Sequence, residues 1–210
     1  MHGLAWAAAL LLALGWGEVT MALEEPSYAV DREHDGYELR RYEPYLVAET
    51  WVDGSFSQSG GRAFRILAGY IFGDNAPGEK MAMTAPVVSV PAENEGYRYQ
   101  FVMERAYTLD DLPIPNDARV ELREIPARWV AAYAFSGSWR ASRVDALTRD
   151  FLARLSADGY RITAEPLLAR YDPPYMPWFL RRNELLVEVQ PPGEGDSTVM
   201  ATDRELASKD

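Results

Sequence analysis

The stretch Gly69-Tyr-Ile-Phe-Gly-Asp-Asn-Ala-Pro-Gly-Glu-Lys-Met-Ala-Met-Thr-Ala-Pro-Val87 joins a helical pattern to a strand pattern through a turn rich in glycine and proline. Its Gly73-x4-Gly78 spacing, with a lysine nearby, is similar to that of a phosphate-binding loop. Such a loop needs lysine directly after the second glycine, between a strand and a helix. Here Glu79 occupies that position and the order is helix, turn, strand. We therefore interpret the stretch as a scaffold.

Composition limits the function classes. The 210 residues fit one domain, and 48% of them are hydrophobic, which is enough for a sizeable core. The formal net charge of −11 argues against a nucleic-acid partner, which needs a dense lysine and arginine surface. The chain has no cysteine, so disulfides, thiolate metal sites and a cysteine nucleophile are excluded. Because no catalytic motif is visible either, the sequence favours a binding protein over an enzyme.

The first 22 residues have the pattern of an export signal. The 13 apolar residues Leu4–Trp16 suit a signal peptide and are too few for a membrane span. Thr20-Met-Ala22 places small residues at both cleavage-determining positions, so we expect the mature chain to begin at Leu23. An uncleaved anchor and a mis-assigned start codon are the alternatives. We expect an exported, periplasmic protein with no stable membrane span after cleavage.

Two similar halves, at about 28–105 and 119–190, form a single domain at 23–190. Three motifs recur 83 residues later: Glu38-Leu-Arg40 as Glu121-Leu-Arg123, Val47-Ala48 as Val130-Ala131, and Gly54-Ser-Phe56 as Gly137-Ser-Trp139. Each half has the pattern strand, helix, strand, strand. This predicts an α+β fold in which two helices cover a pseudo-twofold, mostly antiparallel sheet. A linker at 109–117 divides the halves, and we expect the polar tail at 191–210 to be disordered.

The first predicted helix is more apolar than one sheet can cover. We predict helices at 62–72 and 143–157, and the longer strands at 45–52, 81–90, 97–104, 161–171 and 184–189. At about 100° per residue, the apolar side chains of the first helix span about 240°. The surplus flank consists of Phe64, Ala68, Ile71 and Phe72. A loop of the same chain, a dimer partner or a flat apolar ligand could cover it.

A second apolar group lies on the segment Tyr171-Asp-Pro-Pro-Tyr-Met-Pro-Trp-Phe-Leu-Arg-Arg-Asn183, between the last two predicted strands. Its large side chains are Tyr175, Met176, Trp178 and Phe179, followed by two arginines. So many apolar groups on a loop indicate a binding surface, unless the loop packs on itself over the sheet edge. Three prolines stiffen it, which lowers the entropic cost of holding a ligand.

Several pieces of the sequence resemble the SOUL heme-binding protein family. They are Tyr37-Glu-Leu-Arg-Arg-Tyr42, Tyr70-Ile-Phe-Gly-Asp-Asn75, Lys80-Met-Ala-Met-Thr-Ala-Pro-Val87, Tyr171-Asp-Pro-Pro-Tyr-Met-Pro177 and Arg181-Arg-Asn-Glu184. The resemblance covers 28–189. It implies a barrel-like antiparallel sheet of about eight strands, built from two repeats and flanked by two helices. Similar folds serve as effector-binding domains in bacterial regulators.

The resemblance also implies a ligand and a site. The family binds heme or related tetrapyrroles in a shallow apolar groove between the first helix and the loop before the last strand. We therefore expect b-type, non-covalent heme or another tetrapyrrole, bound by a monomer or weak dimer that is a carrier, buffer or scavenger. The residues assigned to the groove and its basic rim are Phe64, Arg65, Leu67, Ala68, Ile71, Tyr175, Met176, Trp178, Arg181 and Arg182. A binding module for another flat hydrophobic molecule and a tetrapyrrole-modifying enzyme are the alternatives.

Iron ligation has few candidates. Once the signal is removed, His34 is the one remaining histidine, and it lies beside the Asp35-Gly36 turn. We interpret it as a turn residue, with iron ligation as the alternative, because some family members bind heme without a histidine ligand. A Tyr175 or Met176 ligand stays open. Met81 and Met83 face one side of the predicted strand, and we interpret both as core residues.

Overall fold

The computed structural model describes residues 23–92 and 96–192, so the expected export signal at 1–22 and most of the tail lie outside the described residues. In chain order the elements are β1 (Tyr28–His34), β2 (Tyr37–Tyr42), β3 (Tyr45–Asp53), α1 (Phe56–Ile71), β4 (Val87–Ala92), β5 (Gly96–Val102), β6 (Glu121–Ile125), β7 (Arg128–Ser136), α2 (Ala141–Ala157), β8 (Arg161–Ile162), β9 (Leu167–Arg170) and β10 (Arg182–Gln190). A 3-10 turn, Trp178–Leu180, precedes β10. Within these ranges, no helix has the length and apolar character needed to cross a membrane.

Nine strands form one antiparallel sheet in the order β1-β2-β7-β10-β9-β4-β5-β3-β6, and β8 pairs with the far end of β10. The sheet curls into a half-barrel with both helices on one side, which we call the helix face. This confirms the predicted α+β class. Leaving β1 aside, the order reads the same from both ends when β2, β3, β4 and β5 are matched with β6, β7, β9 and β10. The strand order is therefore symmetric about the β9–β4 pair.

The sheet separates three apolar clusters. On the helix face, α1 packs over β3 and β5 through residues such as Leu67, and α2 packs over β2, β7 and β10 through Phe151 and Leu155. The third cluster lies on the opposite face, around Val88 and Ala169 at the centre of the sheet. Complete burial of one such side chain stabilises the fold by about 1.5–3 kcal/mol. Burial of apolar side chains on both faces of the sheet therefore stabilises the packing of the helices and strands.

Helix α1 begins at Phe56, so the predicted start at residue 62 is wrong. The preceding serines and glycines have a low intrinsic helix propensity, which is why the sequence indicated a loop. Their small size brings the helix close to β5: the hydroxyl of buried Ser59 lies 2.9 Å from that of Tyr99. A Cβ atom at Gly60 would lie 3.4 Å from the same Tyr99 hydroxyl. Tertiary packing outweighs propensity here.

The segment 81–86 is irregular, and the strand predicted at 81–90 begins only at Val87. Its backbone bonds go elsewhere: the amide of Met81 donates to the Ile71 carbonyl and that of Ala85 to the Glu24 carbonyl, both at 2.9 Å. Residue 86 is a proline and has no amide hydrogen to donate to a neighbouring strand. The strand predicted at 161–171 is similarly split into β8 and β9.

The predicted linker at 109–117 is packed against the end of α1. The Tyr70 hydroxyl donates to the Pro113 carbonyl at 2.8 Å, and the amide of Ala76 donates to the Ile114 carbonyl at 2.9 Å. Leu112 is buried in the same cluster as Ala68 and Ile71. A loop of the same chain, which was one of the three alternatives, thus covers the part of the surplus flank of α1 that contains Ala68 and Ile71.

Asn75 holds the turn after α1. Its side-chain amide donates to the carbonyls of Tyr70 (3.1 Å) and Glu79 (2.8 Å), and its Oδ1 accepts from the Glu79 amide at 2.9 Å. Gly73 has φ of 112°, and a Cβ atom there would lie 3.3 Å from the Gly78 carbonyl oxygen. The turn is therefore a rigid scaffold that fixes where α1 ends.

Candidate ligand-binding site

Exposed apolar side chains concentrate on the two segments that the sequence indicated. Phe64 is 46% exposed on α1, and Phe72 follows the helix at 56%. In the loop at 171–181, the exposed large hydrophobic residues are Tyr175, Trp178, Phe179 and Leu180. Four large apolar groups within six loop positions are not covered by packing of the loop on itself. Such a concentration marks an interaction surface more often than a chance exposure.

The predicted wall on α1 is only partly accessible. Leu67, Ala68 and Ile71 are buried against the sheet and the segments after the helix. Phe64 lies on the flank of the helix, where its ring makes an edge contact with Phe101 of β5 at 5.5 Å between centroids. Of the four predicted wall residues, Phe64 is thus the one that presents an apolar surface to solvent.

Arg181 fixes the shape of the loop. Its Nε donates to the Met176 carbonyl at 2.8 Å and its Nη2 to the Pro174 carbonyl at 2.5 Å. The guanidinium carbon also lies 4.1 Å from the ring centroid of Trp139, in the connection between β7 and α2. These contacts leave Met176 half-buried and Tyr175 86% exposed. The loop is therefore pinned at its base while its apolar tip faces solvent.

Two other predicted rim residues point away from this surface. Arg65 lines a cleft of about 380 Å³ on the other flank of α1, together with Arg62, Asp74, Asp117 and Arg119. Arg182 lies on the sheet face opposite the helices, where it pairs with Glu184 (3.0 Å) and Glu25 (2.9 Å) and stacks over Tyr171. The structure does not bring either arginine to the flank that carries Phe64.

Arg170, at the end of β9, was missed from the sequence. Its guanidinium lies among three aromatic rings, those of Phe56, Tyr99 and Trp139, with centroid distances of 5.7–5.8 Å. Its Nε is buried and has no hydrogen-bond partner within the described residues. The signal for it was an arginine ending the apolar run Leu167-Leu-Ala-Arg170. Only the packing of distant segments shows that it lacks a counter-charge.

His34 lies near the opposite edge of the sheet from α1. Its Nε2 is 2.8 Å from the Tyr160 hydroxyl, and its ring stacks on Tyr37 at 4.4 Å. Met81 is buried in the cluster under α1 and Met83 packs against that cluster. Both methionines are core residues, as the sequence indicated. His34 is the last residue of β1, directly before the turn, and is half-buried against Tyr160 and Tyr37.

Three of the quoted motifs meet in one buried network on the face opposite the helices. Arg40 and Tyr171 both donate to Oε2 of Glu184, each at 2.8 Å. Burial by itself would raise the pKa of Glu184, but the hydrogen bonds and charge of Arg40, with Tyr171 and Arg182, outweigh it and lower that pKa. Burial raises the pKa of Tyr42 beside them to about 12. This network joins β2 to β10 and to the segment that precedes β10.

A family model described as SOUL heme-binding protein matches residues 23–188. The chain belongs to the SOUL family. The C-terminal domain of EcmrR has a similar structure, with a TM-score of 0.56 and 14% identity. The match covers 78% of this SOUL protein and 98% of the EcmrR domain. A hydrolase from Listeria innocua is similar over 76% of this chain and 94% of its own, with a TM-score of 0.52 and 9% identity. These identities show a shared fold alone, and no curated protein matches the sequence significantly.

Family membership supports the binding of heme or a related tetrapyrrole by this SOUL protein. A heme is a large apolar disc with two carboxylates, so it needs apolar walls and cationic partners. The exposed rings of Phe64 and Trp178 are apolar walls of this kind. Arg170, whose Nε has no hydrogen-bond partner among the described residues, is a cation of this kind. Within 23–92 and 96–192, no group of three or more His, Cys, Asp or Glu is placed to hold a metal ion. The exposed aromatic rings therefore suit the porphyrin ring, and the arginine suits its carboxylates.

Proposed function

We propose that this SOUL protein binds heme or a related tetrapyrrole non-covalently and acts as a carrier, buffer or scavenger rather than an enzyme. The site is the surface formed by Phe64 of α1 and the loop at 171–181. One observation carries the proposal: exposed aromatic side chains concentrate on these two segments, in a chain whose family binds tetrapyrroles.

The energetics favour a flat apolar ligand. A large aromatic side chain buries about 150–250 Å² when it is covered, and apolar burial stabilises by about 25 cal/mol per Å². Covering the exposed parts of Phe64, Tyr175 and Trp178 contributes roughly 10 kcal/mol before the cost of association, which is of similar size. A flat ring system reaches several of these groups at once, which a small polar metabolite does not.

The mode of attachment follows from composition. The chain has no cysteine, so heme has no thioether link available and is held as b-type heme. When bound, heme supplies an iron whose further ligand would come from Tyr175 or Met176 on the loop. The protein's own residues act by covering the ring face and pairing with its carboxylates.

Binding after export completes the proposal. Residues 1–22 have the pattern of an export signal, so we place binding in the periplasm, where a carrier would shield the apolar ring from water. Cell fractionation tests this: recovery of a shortened chain in the periplasm supports it, and recovery of the uncut chain in the cytoplasm contradicts it.

The decisive experiment is a titration of hemin into the purified mature protein, followed by absorption. We expect a saturable, shifted Soret band. Trp178→Ala should weaken hemin binding by about tenfold, the scale of one interface anchor. Trp51→Ala is the matched control, because Trp51 is an exposed tryptophan on β3, away from the loop. No Soret shift with the protein folded, or equal effects of both variants, would contradict the proposal.

The same protein separates the alternatives. Thermal stabilisation by an unrelated flat dye, but by no porphyrin or bilin, would indicate a binding module for another hydrophobic molecule. Loss of the heme spectrum over time with a reductant, under conditions that leave free heme intact, would indicate a tetrapyrrole-modifying enzyme.

A further inference from the structure

The side chain of Arg170 has no anionic partner among the described residues. Four arginines in the described residues have a buried Nε that lacks a hydrogen-bond partner: Arg98, Arg123, Arg128 and Arg170. The first three form ion pairs through their guanidinium groups, Arg98 and Arg123 with Glu49 and Arg128 with Glu188. Arg170 forms no ion pair and no side-chain hydrogen bond with any described residue. The residue is half-buried, and only its Nε is among the buried unpartnered atoms, so the ends of the guanidinium are accessible to an anion that the described residues do not supply.

The position of Arg170 is central. Cross-strand pairing places it opposite Val87 of β4 and Asn183 of β10, in the middle of the sheet. Leu168, two residues earlier on the same strand, faces the α2 cluster, so Arg170 also points to the helix face. Phe56 at the start of α1 and Trp139 just before α2 lie beside it. The guanidinium therefore sits where the beginnings of the two helices meet over the sheet.

The surroundings of Arg170 hold its charge in place without neutralising it. The faces of three aromatic rings attract a cation and offset part of its desolvation cost. Burial lowers the pKa of Arg170, yet an arginine stays protonated at neutral pH. Arg181, which ties down the apolar loop, lies against the same Trp139 indole at 4.1 Å. Two positive charges thus flank one indole in a chain with a net charge of −11.

We propose that Arg170, assisted by Arg181, is the subsite that binds a carboxylate of the ligand, which for a tetrapyrrole is a propionate. This rests on the proposed function and deepens it. The fork of a guanidinium matches a carboxylate with two parallel hydrogen bonds, and a partly desolvated guanidinium binds more strongly than one in water. Arg181 connects the aromatic loop tip to Arg170. It donates to the backbone of the loop that carries Trp178, and its guanidinium lies against Trp139, whose ring Arg170 also contacts. The aromatic loop tip covers the ring while the arginines bind its acidic edge.

The test compares hemin with hemin dimethyl ester, which has the same ring and no free carboxylate. The wild-type protein should bind hemin more tightly than the ester by about tenfold or more. Arg170→Met should remove this preference: hemin affinity falls to that of the ester, and ester affinity changes less than about twofold. Arg161→Met is the control, since Arg161 is an exposed arginine on β8. It should leave the preference intact.

A second readout needs no porphyrin. Since Arg170 has no counter-charge in the described residues, Arg170→Met should leave the melting temperature of the ligand-free protein unchanged or raise it. A large drop in that temperature would assign Arg170 a structural role and overturn the proposal. If Arg170→Met does not fold, Arg170→Lys decides: it keeps the charge but lacks the fork, so it should reduce the preference for hemin.

The outcomes separate this inference from the proposed function. If the wild-type protein binds both porphyrins and Arg170→Met keeps the preference for hemin, the subsite is wrong while tetrapyrrole binding stands. If Arg170→Met weakens both porphyrins equally, Arg170 does not read the carboxylate. If the wild-type protein binds neither porphyrin, both proposals fall.

Discussion

Nη1 of Arg40 lies 2.8 Å from Oε2 of Glu184, although 144 residues separate them in the chain. Arg40 belongs to β2 and Glu184 to β10, and β7 lies between these strands. Both side chains are buried. Two motifs that resemble the family at opposite ends of the sequence therefore form one ion pair inside the fold, and we assign them a role in stability rather than in ligand contact.

Removal of one partner of this pair should be costly. Arg40→Met leaves the carboxylate of Glu184 with Arg182 and Tyr171 alone, and we expect the free energy of unfolding to drop by about 1.5–3 kcal/mol. The double variant Arg40→Met/Glu184→Leu should regain much of this loss, because it leaves no buried charge unpaired. Urea unfolding measures both. Arg154→Met, which removes the exposed pair with Asp35, serves as the control and should change little.

Stability should fall at acidic pH through Glu184. Its pKa in the folded protein is below the ordinary value of 4.5, because the hydrogen bonds and charge of Arg40, with those of Tyr171 and Arg182, outweigh burial. A carboxylate of this kind stabilises the fold above its unfolded pKa, and the contribution is lost as pH falls through the folded pKa. We expect the urea midpoint to drop between about pH 5 and pH 3. In Glu184→Gln the drop should be smaller, and parallel profiles would contradict this assignment.

Leu67 and Phe64 should separate stability from binding. Leu67 is fully buried, so Leu67→Ala should destabilise the protein by about 2–5 kcal/mol. Phe64 is exposed on the flank of the same helix, so Phe64→Ala should cost less than about 1 kcal/mol and weaken hemin binding. Thermal melts and hemin titrations on both variants test this. Equal losses of stability would mean that the flank of α1 is core rather than site.

Asn75 should be required for the turn after α1. Asn75→Ala removes three hydrogen bonds that a buried side chain makes to the Tyr70 carbonyl and to the backbone of Glu79, which costs about 1–3 kcal/mol. Asn116→Ala is a suitable control, because Asn116 is exposed and its side-chain amide donates a single hydrogen bond, to Asp74, within the described residues. The difference between the two melting temperatures is the measurement, and a result near zero would remove the scaffold role.

His34 should not ligate heme iron. Its Nε2 is engaged with Tyr160 near the sheet edge away from α1, so His34→Ala should leave the Soret position of the hemin complex unchanged. A shifted band, with the variant folded, would instead show that His34 reaches the iron.

Much of the architecture could be predicted because it is encoded locally. Alternating and 3.6-residue apolar patterns specified the α+β class, and glycines at 73 and 159 marked the helix ends. The start of α1 and the irregular path at 81–86 could not be predicted in this way. The first depends on how closely Ser59 and Gly60 approach Tyr99, and the second on bonds to Ile71 and Glu24, which belong to other parts of the chain.

The sequence by itself determined the fold class, the family and the two segments that carry the exposed aromatic side chains, because each of these is written in contiguous residues. Only the tertiary structure decided which charges are paired. Arg182 lies beside Glu184 and Glu25, whereas Arg170 lies among aromatic rings and pairs with no carboxylate of the part of the chain that the structure describes. Both are arginines at the ends of apolar strands, and their difference depends on which distant strands and helices become their neighbours. Counter-charges come from the whole fold, so no local pattern could have distinguished the two.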